Sequence, residues 1–124
     1  MSVSRRIAAG MLSLGIAWAS SAVAADEVHV MDSTPAASAV IDGRTSAFFV
    51  RFDRPVDHIR SILEITQGGK QIERLQPRLE SAPEVLFARA PTLRPGKYTL
   101  HWAVVTVGGK ETIQGDIPFS VAAQ

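Results

Sequence analysis

The three histidines are the side chains of this sequence best suited to chemistry, and each has a different neighbourhood. His29 follows closely on Asp26 and Glu27, so one imidazole and two carboxylates fall within a few positions, a set of nitrogen and oxygen donors able to hold a metal ion weakly. The plainer reading of that cluster is a solvated chain terminus. Asp53, Asp57 and His58 form a looser set around Arg54, Pro55 and Val56, where a polar loop with its charges turned to water is the expectation. His101 precedes Trp102, and strand alternation sends it to the solvent face once the indole is turned inward.

Chemistry beyond weak metal contact finds little to work with. There is no cysteine, which removes thiolate metal sites and disulfides alike and leaves burial as the source of stability. No nucleophile elbow, His-Glu-x-x-His zinc motif, phosphate-cradling glycine loop or dinucleotide fingerprint occurs. The carboxylates are dispersed over loops without a burial signal, which makes them poor general acids or bases. No enzymatic activity is expected.

The first residues speak to compartment. Arg5 and Arg6 open the chain, residues 7–19 are mostly apolar, and residues 20–25 end in small side chains, the pattern of a secretory signal peptide at residues 1–25 with cleavage near Ala25. The rival, an uncleaved anchor, is disfavoured because the apolar core falls short of the ~20 residues that span a bilayer. Residues 26–124 then form one domain, exported to the periplasm, with no membrane insertion after cleavage. Two of the 13 Lys and Arg leave with the signal against an unchanged 12 Asp and Glu, so the +1 of the full chain becomes −1. A near-neutral domain with scattered cations has no basis for binding nucleic acid.

The elements that must position these residues are short apolar alternations between turn residues, with no sustained helical period. Strands are expected at 28–31, 36–41, 45–52, 61–66, 71–75, 84–88 and 97–107, with a last one beginning near Gly115, and the chain is expected to change sheets near Pro35. In the third of these, Phe48, Val50 and Phe52 share the inward face, and full burial of each phenylalanine contributes ~1.5–3 kcal/mol. Gly68 and Gly69 suit a tight hairpin turn. Pro95 and Gly96 suit a type II turn. Tyr98 stands where a tyrosine corner would tie a strand start to the preceding loop. Pro118 lacks an amide donor, so its strand is expected at a sheet edge or bulged there. The fold class is all-β, an Ig-like Greek-key β-sandwich of about seven strands.

Three segments carry a resemblance: residues 29–36 (HVMDSTPA), residues 93–102 (LRPGKYTLHW), and the strand at 104–107 with its loop Gly108, Gly109 and Lys110 before the final strand. In order and spacing they resemble the CopC family of periplasmic copper-resistance proteins. The resemblance implies a copper-binding or copper-passing β-sandwich, in some cases beside an inner-membrane copper transporter. It also implies Cu(II) held by a histidine at the mature N-terminus together with an Asp-x-His pair in the loop before the last strand.

This sequence departs from that pattern at the ligands. The Asp position of the pair is Gly108 and the His position is Lys110, while Glu27 stands where the first histidine would be and His29 where a second often follows. An ammonium repels a divalent cation at close range by several kcal/mol at an effective dielectric of ~20. Once Met1 and Met11 leave with the signal only Met31 remains, too few for a methionine-rich Cu(I) site. The expectation is a copper-associated domain in which residual Cu(II) contact centres on His29, Asp26 and Glu27. The alternative is a metal-free interaction module on the same sandwich.

Overall fold

The computed structural model describes residues 28–123. Eight strands follow one another along the chain: β1 (Val30–Thr34), β2 (Ala39–Ile41), β3 (Ala47–Phe52), β4 (Ile62–Gln67), β5 (Lys70–Leu75), β6 (Val85–Arg89), β7 (Gly96–Val105) and β8 (Thr112–Val121). They form two sheets, one of three strands in the order β1-β3-β6 and one of five in the order β2-β8-β7-β4-β5. The result is the immunoglobulin-like sandwich expected from the alternation, and each of the eight segments expected as strands overlaps one, against the round figure of about seven. The chain changes sheets at Pro35 as expected: β1 pairs with β3, and β2 then crosses to run parallel to β8. Among the described residues no helix is long and apolar enough to cross a membrane.

Period-2 alternation dictates which side chains meet between the sheets. Phe48, Val50 and Phe52 of β3 are essentially fully buried, as are Leu63 and Ile65 of β4, Leu86 of β6, and Leu100 and Val104 of β7. Phe52 meets Trp102 edge to face with ring centroids 5.1 Å apart, and Phe48 meets Phe119 in the same manner at 5.6 Å. Trp102 lies opposite Gly115 in the β7–β8 pair, and a Cβ on Gly115 would fall 2.5 Å from the indole Cζ2. The glycine is what lets the indole lie flat across β8.

Tyr98 is buried, stacks on Phe119 and donates its hydroxyl to the Arg94 carbonyl at 2.6 Å, so the tyrosine corner is present. Gly68 and Gly69 both take positive φ, 61° and 81°, as the hairpin between β4 and β5 requires. Gly96 differs from expectation. Its φ of 152° is not that of a type II turn, and it already pairs with Val121 as the first residue of β7. The chain bends at Pro95 instead, and the Tyr98 bond to Arg94 holds the bend.

Pro118 also differs. β8 is an interior strand between β2 and β7, neither at the edge nor bulged at Pro118. The Pro118 carbonyl accepts from the Ser38 amide at 2.7 Å, on the β2 side. The N and O of one extended residue point the same way, so the missing donor also faces β2, just where that short strand begins. No bond to β7 is lost.

Candidate metal-contact site

His29 continues the β1–β3 ladder by one position. The Asp53 amide donates to the His29 carbonyl at 3.0 Å, and the His29 amide donates to Asp53 Oδ1 at 3.3 Å. Because Phe52 points inward, the next residue, Asp53, points out, and so does His29 opposite it. The two side chains meet there, with His29 Nδ1 3.0 Å from Asp53 Oδ2. Arg54 Nε donates to the other carboxylate oxygen at 3.1 Å. The His29 hydrogen bond first, and the Arg54 bond second, hold the Asp53 carboxyl down at about 2 against a smaller opposing effect of desolvation. Asp53 is therefore a permanent anion at neutral pH and places the imidazole proton on Nδ1. Asp26 and Glu27, the other donors expected beside His29, lie outside the described residues, as do residues 1–25, expected as a signal segment.

The second set does not come together. Asp57 caps its own turn, accepting from the amides of Ile59 at 2.9 Å and Arg60 at 3.0 Å and from Arg60 Nε at 2.8 Å, and the Arg60 side chain is the main reason its carboxyl titrates low. His58 turns to β6, with Nε2 2.7 Å from the Val85 carbonyl. His101 faces outward as alternation requires and lies 2.7 Å from Asp116 across the β7–β8 pair. Among the described residues no group of three or more His, Cys, Asp or Glu is placed to hold a metal ion.

The loop after β7 packs close to this region. Thr106 bridges to Val56, the Val107 amide donates to the Pro55 carbonyl at 3.3 Å, and the Gly109 amide returns to the Thr106 carbonyl at 2.9 Å. Gly108 takes a φ of 83°, in the left-handed region. Arg54, Thr106, Gly109, Lys110, Glu111 and Ile113 line a cavity of about 180 Å³. Two cations, Arg54 and Lys110, thus border this cavity, and Arg54 also bonds Asp53. Glu111 adds one carboxylate to the same lining.

Asp53 was expected in a polar loop with its charge turned to water, and its partner was not readable, since pairing across a sheet depends on register that period-2 patterns leave open. The same holds for Asp116 beside His101.

Residues 30–122 match the family described as the CopC domain. The fold is similar to that of the crystal structure of CopC from Methylosinus trichosporium OB3b, with a TM-score of 0.68 and 23% identity over 79% of this chain and 96% of that one. It is also similar to PcoC, a methionine-rich copper resistance protein from Escherichia coli, with a TM-score of 0.58 and 18% identity over 77% of this chain and 99% of that one. No curated protein matches the chain significantly. With the family match running from the first strand to the last, this chain belongs to the CopC domain family.

Proposed function

We propose that the chain is a non-catalytic copper-handling domain, exported to the periplasm with its signal removed near Ala25, that contacts Cu(II) weakly through His29. The observation that carries this reading is the pairing of His29 Nδ1 with Asp53 Oδ2 at 3.0 Å. A metal-binding histidine characteristically gives its other ring N–H to a carboxylate, which orients the ring and raises the basicity of Nε2. A new terminus at Asp26 would add the amine and two carboxylates. Arg54 and Lys110 keep the contact weak, and an inner-membrane copper transporter is the partner this role calls for.

A second reading, a metal-free interaction module, draws on Gly108 and Lys110 standing at the family's ligand positions. A chelator competition titration with Cu(II), on protein whose N-terminus is verified by mass, separates the two. Binding weaker than nanomolar that is abolished by His29→Ala and falls on acidification, as protons compete for the imidazole, supports the first reading. No Cu(II) binding supports the second. Nanomolar binding unchanged by His29→Ala overturns both. The double change Gly108→Asp with Lys110→His should strengthen binding, with a folding cost on the order of 1 kcal/mol for a side chain at the positive φ of Gly108.

A further inference from the structure

The outer face of the five-stranded sheet carries a cavity of about 370 Å³ over the start of β7 and the end of β8. Alternation and register build it. Tyr98 and Leu100 of β7 and Phe119 and Val121 of β8 turn inward, so Lys97, Thr99, Pro118 and Ser120 turn outward. Lys97 pairs with Ser120 and Thr99 with Pro118, which brings one ammonium and two hydroxyls side by side. Ser38 closes the β2 side, its amide bonded to the Pro118 carbonyl at 2.7 Å, and the turn at Gly68 closes the β4 side. Ser38 takes a φ of 64°, which a glycine adopts without strain, yet the residue there carries a hydroxyl. Among the described residues, these three hydroxyls and the ammonium make no hydrogen bond or ion pair with the protein. The lining, among the described residues, includes no carboxylate, and Asp116, one outward position farther along β8, is taken by His101.

We propose that this cavity binds the oxyanion of a small polyhydroxylated ligand, a sugar acid or a sugar phosphate. Donors unopposed by a carboxylate select a negative group, and a bond from an ammonium to an oxyanion is roughly twice as strong as a neutral one. The space is more than one oxyanion fills and suits a small organic molecule. Serine and threonine hydroxyls also accept, so those not engaged by the charge can bond the ligand's own hydroxyls. The exposed Pro118 ring offers an apolar plate to the C–H face of a sugar. β7 is ten residues long, which puts the cavity roughly 30 Å from the loop at the far end of that strand. Ligand binding here is therefore independent of any metal near His29.

The test is an amide NMR titration of the exported protein with glucuronate, glucose-6-phosphate, inorganic phosphate and glucose. Saturable shifts at Lys97, Thr99 and Ser120 are expected with glucuronate or glucose-6-phosphate, with weaker binding of phosphate and none of glucose. A response to one of the two sugar acids alone identifies the source of the oxyanion. Lys97→Gln should weaken binding at least about tenfold, through loss of the charge-assisted bond. Ser38→Gly should weaken it about threefold, through loss of one hydroxyl bond. That glycine suits the backbone at a φ of 64°, so the hydroxyl is tested with the fold kept. No saturable shift with any of the four, glucose bound as tightly as the acids, or affinity unchanged in Lys97→Gln overturns the proposal. Phosphate bound as tightly as both sugar acids overturns the assignment of a sugar.

Discussion

Phe52 and Asp53 are neighbours in sequence and belong to two regions built on different principles. Phe52 faces Trp102 in an interior where almost every side chain is fixed by several others. Asp53 faces His29 and Arg54, where each contact involves one or two exposed groups. In the interior a substitution disturbs many partners at once. On the outer face it changes local chemistry and leaves the sandwich standing. A stability series across both regions tests the contrast.

Trp102→Ala should show the largest effect, a loss of ~3–5 kcal/mol in a denaturant melt, because it removes a large aromatic from a close-packed site. Gly115→Ala should cost about 1–3 kcal/mol by driving a methyl against the indole, a steric effect of overpacking. If it costs nothing, the indole does not lie across β8 and the interior is looser than described. Tyr98→Phe keeps the stacking on Phe119 and loses the bond to Arg94, which should cost about 0.5–1.5 kcal/mol by the same melt.

The outer face should respond through titration. The Asp53 carboxyl lies at about 2 in the folded chain against an ordinary 3.8. A depressed acid contributes stability above its unfolded value and loses it as pH falls through the folded value. The Asp53 carboxyl resonance should therefore titrate near 2, and Asp53→Asn should flatten the acid limb of the stability curve between about pH 4 and 2. A midpoint near 4 would mean that His29 and Asp53 are not paired in solution. It would also remove the support for His29 as a metal contact.

The strands and their inward faces were legible in the amino-acid sequence because they follow from local rules. Alternation in 45–52 and 97–105 places Phe48, Phe52, Leu100 and Trp102 inward whatever the neighbouring strands are. The Tyr98 corner and the Gly68–Gly69 turn are equally local, depending on a few consecutive residues. That Gly108 and Lys110 occupy the loop after β7 is likewise a matter of residue identity. Tertiary structure alone decided which strands lie side by side. Pro118 reads as an edge residue until β2 is seen to begin beside it, on the one side where its missing donor costs nothing. The pairings of His29 with Asp53, of His101 with Asp116 and of Lys97 with Ser120 are all consequences of register. Register is set by the whole set of strands packing at once, because alternation specifies a face and says nothing of the neighbour across the ladder.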